Sequence, residues 1–309
     1  MAARTLTPPP APSSAPSSTR SSAPLSGSAP ADDAFAAVPA DDFDIELELL
    51  LEGIFRKYQH DFRGYSRASL RRRLSQALRD LKLDTLSQLQ DRMLRDPALF
   101  GRLFQYLTVQ VSEMFRDPSY FRAIREQVAP VLKTYPSITV WVAGCSSGEE
   151  LWSLAILFAE EGLHERTTFY ATDINPAALA EARAGVYDAG RLRGFGRNYL
   201  AAGGRHSLGD YYHAAYGKAK FDAGLVSRAV FADHSLATDS VFQEAQLISC
   251  RNVLIYFDRT LQDRALGLFR DALVRHGFLG LGSKETLQFS AHAEAFEAVV
   301  PSDRLYRKR

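Results

Sequence analysis

Apolar residues recur at helical spacing in the part of the chain that follows residue 40. Ile45 and Leu49 fall at the spacing of one helix. Ser66 precedes a second helical pattern and is a candidate N-cap. The apolar stripe of that second pattern consists of Leu70, Leu74, Ala77, Leu78 and Leu81. Because no strand pattern occurs here, residues 41–128 are expected to form a helical domain and a linker.

After Pro136 the pattern changes to apolar runs of strand length that alternate with helical segments. The predicted elements are a strand over 138–145, a helix over 148–163, a strand over 167–174, a strand within 245–256, a helix over 260–277 that ends at a glycine C-cap, and a strand over 278–283. Such alternation indicates an α/β fold with a mostly parallel sheet covered on both faces. Residues 129–309 are therefore expected to form this α/β domain.

Two other segments differ in composition. Residues 1–40 are dominated by Pro, Ala and Ser, which cannot bury enough apolar surface to offset the ordering entropy, so a disordered tail is expected. Residues 184–232 are rich in Gly and Tyr and are too long for an ordinary loop. We expect them to form a small inserted subdomain with antiparallel strands.

The overall composition argues against several functional classes. Lys and Arg number 37 against 36 Asp and Glu, so a formal net charge of +1 gives no whole-protein attraction for nucleic acid. The two cysteines, Cys145 and Cys250, each adjoin an apolar run, which argues against a disulfide framework. No apolar stretch approaches the ~20 residues that span a bilayer. We expect a cytoplasmic protein, monomeric, with no nucleic-acid partner and no direct membrane insertion.

The first predicted strand ends in a loop of small residues, Gly144 to Gly148, and a helix begins directly after it. Small residues let the backbone approach a ligand, and the amides at the helix start can donate to it. The loop has no lysine, and Glu149 and Glu150 would repel a phosphate. The pattern indicates a ligand that carries a cation, such as an ammonium or sulfonium. The alternative is that both glutamates only favour the helix dipole.

Asp173 ends the second predicted strand. In sheets of this type, an acidic residue at that point accepts hydrogen bonds from the ribose hydroxyls of an adenosine. The alternative is an aspartate that caps the helix starting near Pro176. Together with the glycine loop and Glu150, Asp173 describes an adenosyl ligand with an amino acid tail. That ligand is S-adenosylmethionine, and its chemistry needs no metal.

Polar residues also follow the apolar run near residue 250. Arg251 and Asn252 close this run, and each needs a partner if it is covered. Asn252 is a candidate for cofactor binding and Tyr256 for a hydroxyl over the transferred methyl group. The alternative, which the residue by itself favours, is that Tyr256 packs as a core aromatic. Arg116 lies among aromatic residues and is either a packed surface arginine or a clamp for a substrate carboxylate.

Five segments of the chain resemble, in the same order, the chemotaxis protein methyltransferase family of the CheR type. They read MFRDPSYF, WVAGCSSGEELWSLAI, YATDINPAALAEARAGVY, CRNVLIYFDRTLQ and FLGLGSKETL. The resemblance, from about residue 42 to the C-terminus, implies a helical N-terminal domain and a Rossmann-like domain with an inserted β-subdomain. It further implies methyl transfer from S-adenosylmethionine to receptor glutamates, which gives a γ-glutamyl methyl ester and S-adenosylhomocysteine.

The resemblance also implies individual site residues. Arg116 and Tyr256 are implied to lie nearest the methyl-transfer centre. The implied cofactor residues are Gln110, Ser112, Arg116, Glu150, Asp173, Ser235, Leu236, Arg251 and Asn252. The chain departs from the family pattern at Gln110, Met114, Ser235 and Lys284. Because Gln110 and Ser235 keep their hydrogen-bonding ability, cofactor binding is expected to persist.

The implied reaction is an in-line attack by a carboxylate oxygen on an activated methyl group. A glutamate has a free pKa of ~4.3 and is already ionised near neutral pH, so no general base is required. Positioning must then supply most of the acceleration. In this scheme Arg116 orients the carboxylate and Tyr256 helps to align the methyl group.

The second helix offers a basic surface. Arg72 and Arg79 lie opposite its leucine stripe, with Arg71 and Arg73 on the flanks. The resemblance implies that Arg71, Arg72 and Arg79 dock an acidic receptor bundle, the cytoplasmic domain of a chemoreceptor or related signalling protein, whereas a solvated face is the alternative. Two other functions stay open: a methyltransferase for a different acceptor, and a non-catalytic scaffold that keeps the fold.

Overall fold

The computed structural model describes residues 41–309, and the predicted disordered tail of residues 1–40 lies outside the described residues. The α-helices are α1 Asp42–Tyr58, α2 Arg67–Leu81, α3 Leu86–Arg95, α4 Pro97–Leu107, α5 Pro118–Ala123, α6 Ala129–Leu132, α7 Glu149–Glu160, α8 Pro176–Ala184, α9 Leu192–Ala201 and α10 Arg259–Ala272. The strands are β1 Ile138–Ala143, β2 Thr167–Asp173, β3 Val186–Asp188, β4 Tyr212–Ala215, β5 Lys218–Phe221, β6 Ala229–Asp233, β7 Ala245–Cys250, β8 Leu273–Leu281, β9 Phe296–Val300 and β10 Leu305–Lys308. Within these residues no helix has both the length and the apolar character to cross a bilayer.

Helices α1 to α4 share one apolar core. The predicted stripe of α2 is buried from Leu70 to Leu78, and Ser66 is the N-cap, although its hydroxyl makes no capping hydrogen bond. The first predicted helix is present as α1, but Ile45 and Leu49, whose spacing indicated it, are about half exposed. This helix buries a different face, formed by Leu47, Leu50, Leu51 and Ile54. Apolar residues occupy several faces of α1, so spacing alone could not identify the buried one.

The main sheet has seven strands in the order β6-β2-β1-β7-β8-β10-β9. The first five run parallel, and β10 pairs antiparallel with both β8 and β9. The chain moves from β1 to β2 on one side and later places β7 on the other side of β1. This reversal opens a crevice at the carboxyl ends of β1, β2 and β7, where α/β sheets bind ligands. The predicted Rossmann-like α/β fold is confirmed.

Strand β8 begins earlier than the sequence pattern indicated. The predicted helix over 260–277 ends at Ala272, and Leu273 already pairs with Ala245 of β7. His276 has a φ of 64°, and the glycine after it lies inside the strand, not at a helix C-cap. The amphipathic spacing continues past the helix end, but pairing with β7 extends the backbone there. A glycine at an irregularity within a strand was mistaken for a helix stop.

The inserted segment contains a separate sheet of three antiparallel strands in the order β3-β5-β4. It also contains helix α9, which the sequence pattern did not indicate. The insertion was predicted to reach residue 232, but β6 pairs in parallel with β2 and belongs to the main sheet. The small antiparallel sheet itself therefore ends at Phe221.

A short π-helical turn, Ile124–Val128, connects α5 to α6, and all three pack into the core of the main sheet. Its Arg125 is buried and forms ion pairs with Glu160 and Glu161 at the end of α7. Glu160 also accepts hydrogen bonds from Tyr199 of α9 and from Tyr211 before β4. Arg125 therefore ties the segment before the sheet, helix α7 and the insertion together.

Replacement of Arg125 by Met should lower the free energy of unfolding by about 3 to 5 kcal/mol, because it leaves the buried carboxylate of Glu160 without its ion-pair partner. Glu161 keeps its ion pairs with Lys133 and Arg205. Urea unfolding measures this loss. The matched control is Arg95→Met, which removes an exposed pair with Asp91 and should cost less than about 1 kcal/mol. Equal losses in the two variants would contradict a structural role for the buried network.

Candidate functional site

The loop after β1 requires glycine at both of its ends. Gly144 has a φ of 70°, and a Cβ there would lie 2.5 Å from a methyl carbon of Val253. Gly148 has a φ of 92°, and its Cβ would lie 2.7 Å from the Cα of Ala182. Both backbone conformations favour glycine. The loop therefore packs closely against its neighbours and delivers the chain directly into α7.

A cleft of about 930 Å³, part of it open to solvent, lies at the carboxyl edge of the sheet beside this loop. Nine of the predicted site residues line it: Gln110, Ser112, Arg116, Glu150, Asp173, Leu236, Arg251, Asn252 and Tyr256. Ser235 does not line it, and its hydroxyl instead accepts a hydrogen bond of 3.3 Å from the amide of Ala237. The structure brings together residues that are spread over some 150 positions of the sequence.

Glu150 is the glutamate of α7 that lines the cleft. Its Oε2 lies 3.2 Å from a guanidinium nitrogen of Arg251, and its Oε1 accepts a hydrogen bond of 2.7 Å from Ser249. Glu149, which the sequence argument placed beside Glu150 at the ligand, is fully buried away from the cleft. One of its oxygens lies 2.7 Å from a guanidinium nitrogen of Arg191. Of these two glutamates, only Glu150 therefore offers negative charge to a ligand in the cleft.

Asp173 at the end of β2 accepts two backbone hydrogen bonds of 2.9 Å, from the amides of Ser146 and Asn175. Burial raises the pKa of its carboxyl, and these amides partly offset the rise. Helix α8 is capped by Asn175, which accepts from the amides of Ala177 and Ala178. The capping role weighed for Asp173 thus falls to Asn175. Each oxygen of Asp173 keeps acceptor capacity for a hydroxyl group.

Arg251 is buried in the wall of the cleft, and two carboxylates compensate its charge. It pairs with Glu150 and, at 2.8 Å, with Asp117, and it donates to the backbone carbonyl of Arg116. Its guanidinium lies 4.1 Å from the ring centroid of Tyr120. The arginine therefore holds the start of α7, the end of β7 and the segment before α5 in one arrangement.

Asn252 adopts a φ of 62°, and its backbone amide donates a hydrogen bond of 3.0 Å to the carboxylate of Glu285. The buried carboxylate of Glu285 also accepts hydrogen bonds from the amides of Gly282 and Ile255. Lys284, where the chain departs from the family pattern, is exposed. Sequence reasoning missed Glu285, which fixes the turn after β7 and adjoins the exposed lysine.

Two arginines in the cleft wall form no ion pair with any residue in 41–309. Arg116 is partly buried, and Arg73 of α2 is 9% exposed. Arg73 donates hydrogen bonds only to neutral groups, and its guanidinium lies 5.0 Å from the ring centroid of Tyr256. Burial lowers the pKa of Arg73. From the sequence, Arg73 was predicted to lie on the flank of a basic surface. Its spacing of three residues from Leu70 and four from Ala77 was the signal that it belongs to the buried stripe.

The segment between α4 and α5 is fastened to the loop after β1 and to the insertion. Ser146 donates to the side chain of Gln110 at 2.8 Å, so the residue that departs from the family pattern joins two parts of the wall. The backbone carbonyl of Ser112 accepts a hydrogen bond from Arg191. Gln110 therefore has a structural partner in addition to its predicted contact with a cofactor.

The predicted docking arginines of α2 are not equivalent. Arg72 and Arg79 are exposed, and in residues 41–309 neither forms an ion pair. Arg71 forms ion pairs of 2.8 Å with Asp41 and 3.0 Å with Asp44. These acidic residues could not be recognised as partners from the sequence of α2, because they come from the start of α1. Uncompensated positive charge on this surface thus comes from Arg72 and Arg79.

Potential metal ligands do not cluster in the described part of the chain. No three or more His, Cys, Asp or Glu side chains there are arranged to hold an ion. Cys145 lines the cleft, and burial raises the pKa of its thiol well above the ordinary value. Such a thiol is a poor nucleophile near neutral pH.

Two family models and several known proteins match most of the described chain. Residues 110–303 match the family model described as "CheR methyltransferase, SAM binding domain", and residues 45–108 match "CheR methyltransferase, all-alpha domain". The chain is 57% identical, over 86% of its length and 97% of the relative's, to "Putative methyltransferase Cher3" of Pseudomonas putida. It is 30% identical to the chemotaxis protein methyltransferase of Listeria monocytogenes, over 74% of this chain and 84% of that one.

Among solved structures, the chain is similar to the glycopeptide N-methyltransferase MtfA complexed with sinefungin. The identity is 13%, the TM-score is 0.34, and the match covers 55% of this chain and 50% of the other. The two family models and the high identity to curated relatives carry the assignment: the chain belongs to the CheR methyltransferase family and is an S-adenosylmethionine-dependent methyltransferase.

Proposed function

We propose that this chain transfers the methyl group of S-adenosylmethionine to glutamate side chains of a chemoreceptor or related signalling protein. The products are γ-glutamyl methyl esters and S-adenosylhomocysteine. The observation that carries the proposal is the mixture of charges in one cleft wall. Glu150 and Asp173 supply negative charge, and Arg73 and Arg116 supply positive charge that no described carboxylate neutralises. Such a wall suits a cationic cofactor and an anionic acceptor together.

The residues present fit the cofactor. Glu150 would hold the ammonium group, and Asp173, with free acceptor capacity at the end of β2, would hold the ribose hydroxyls. The glycine-bounded loop lets the backbone approach the ligand. When bound, S-adenosylmethionine supplies a methyl group activated by its sulfonium. The family comparison to a domain that binds this cofactor supports the same assignment.

Arg116 and Arg73 support a carboxylate as the acceptor of the methyl group. A glutamate carboxylate is ionised near neutral pH, so the protein need not remove a proton before the attack. Arg116 would orient this carboxylate, and Arg73 adds a second positive charge beside Tyr256. Tyr256 itself lines the cleft and would help to align the acceptor with the methyl group. Catalysis then consists mainly of positioning and exclusion of water.

The nature of the product tests this proposal directly. Incubation with methyl-labelled S-adenosylmethionine and the cytoplasmic domain of a candidate receptor should give labelled protein whose label is released by mild base as methanol, because carboxylate esters hydrolyse in base. A receptor domain with its methyl-accepting glutamates replaced by alanine is the control. Label that survives base, or label that appears equally on the control, would contradict glutamate as the acceptor.

Docking of the acceptor gives a second prediction. Charge reversal of Arg72 and Arg79 to Glu should weaken receptor methylation roughly tenfold, because two exposed cations that face an acidic partner become repulsive. The dissociation constant for S-adenosylhomocysteine should stay unchanged. Arg95→Glu on α3, a helix that contributes no residue to the cleft wall, is the matched control and should change neither quantity. Parallel loss of methylation and cofactor binding would refute this division of roles.

A further inference from the structure

A chain of buried hydroxyl groups lies behind the carboxylate of Glu150. Ser249, fully buried at the end of β7, donates to Glu150 Oε1 at 2.7 Å. The Oγ of Ser249 also lies 2.8 Å from the hydroxyl of Tyr120, which is 1% exposed. A serine has one hydroxyl proton, and Ser249 gives it to the carboxylate. Tyr120 must therefore donate to Ser249, so the hydrogen bonds run in one direction toward Glu150.

Tyr120 supports both groups that hold Glu150. Its hydroxyl orders Ser249, which binds Oε1, and its ring packs against the guanidinium of Arg251, which binds Oε2. Burial, reinforced by the negative charge of Glu150, raises the pKa of Tyr120 well above its ordinary value. The phenol therefore stays protonated and keeps its role as donor at physiological pH.

Gly280 of β8 makes this arrangement possible. It is the direct neighbour of Ser249 across the two parallel strands. A Cβ at Gly280 would lie 2.1 Å from the hydroxyl oxygen of Tyr120, which is far too close for any side chain. The backbone thus leaves room for one hydroxyl group at this point, and the phenol of Tyr120 fills it.

We propose that Tyr120 and Ser249 are positioning residues that hold the Glu150 carboxylate in the orientation that binds the ammonium group of the cofactor. This inference rests on the proposed function, because it assumes that the cleft takes S-adenosylmethionine. Neither residue lines the cleft, so each acts through Glu150. Each oxygen of Glu150 accepts one hydrogen bond from the protein and retains capacity for a second, from the ligand.

Loss of this support should affect the binding of only one part of the ligand, the amino acid tail. Without the hydrogen bond from Ser249, Glu150 is free to turn further toward Arg251, and its charge becomes less available to an ammonium group. A ligand that has the adenosyl group but no amino acid tail does not use Glu150. Damage to the hydroxyl chain should therefore weaken the binding of S-adenosylhomocysteine and spare that of 5′-methylthioadenosine.

Calorimetric titration of the whole chain with these two ligands tests the proposal. Ser249→Ala should weaken S-adenosylhomocysteine binding on the order of tenfold and Tyr120→Phe roughly threefold, as expected for a direct and an indirect hydrogen bond to a charged group. Binding of 5′-methylthioadenosine should stay within about twofold of the unaltered protein, which also shows that the cleft is folded. Tyr211→Phe, which removes a phenol that donates to Glu160 at 3.0 Å outside the cleft, should change neither ligand.

A double-mutant cycle supplies an independent measurement. In a Glu150→Gln background, Ser249→Ala should no longer weaken S-adenosylhomocysteine binding, because its effect passes through the lost charge. Additive losses in the cycle, or equal losses for both ligands in Tyr120→Phe and Ser249→Ala, would overturn the inference and leave the residues with a general structural role. If the unaltered protein bound neither ligand, the proposed function itself would be contradicted. If the unaltered protein bound S-adenosylhomocysteine and methylated its acceptor, but the variants weakened the binding of both ligands equally, only the positioning role would be contradicted.

Discussion

The ion pair between Glu150 and Arg251 is the interaction on which the rest of the cleft depends. Arg251 is buried at the end of β7, and a buried charge is tolerated only with partners in good geometry. Its partners come from the start of α7 and from the segment before α5. The same contact therefore fixes three parts of the chain and presents one carboxylate to the cleft. The hydroxyl groups of Ser249 and Tyr120 complete the support of that carboxylate from behind.

The helical N-terminal region contributes directly to this cleft. Tyr65 and Arg73 line it, and the amide of Ser66 donates to the carbonyl of Tyr256 at 2.8 Å. Helix α2 thus has two different faces: its buried face reaches the wall beside Tyr256, and its exposed face carries Arg72. Under the proposed function, the helix that meets the receptor also contributes to the site where the methyl group is transferred. Docking and alignment of the acceptor then depend on one rigid element.

The features that the sequence could predict follow from local rules. The alternation of strands and helices predicted the sheet, and the strand-end rule drew attention to Glu150 and Asp173. These rules assign a residue to an element and an edge without any knowledge of its neighbours. The family resemblance added Gln110, Leu236 and other residues whose sequence context alone says little.

The features that could not be predicted depend on contacts between distant segments. Glu149 and Glu150 are adjacent in sequence, and only the packing of Arg191 shows which of them leaves the cleft. Tyr120 and Ser249 are 129 residues apart, and their contact depends on the bare backbone of Gly280 on a third segment. Helix α10 ends before Leu273, because Leu273 pairs with Ala245 of β7, although the amphipathic pattern of the helix continues further. In each case a tertiary contact decides between options that are locally equivalent.

The central claim is that Glu150 and Asp173 form the two anchors of an adenosyl amino acid at the carboxyl edge of the sheet. A crystal structure of the protein with S-adenosylhomocysteine tests it most directly. The account predicts electron density with the ammonium group within hydrogen-bond distance of Glu150 and the ribose hydroxyls against Asp173. Ligand density at another surface, or a cleft that stays empty at saturating ligand, would contradict it.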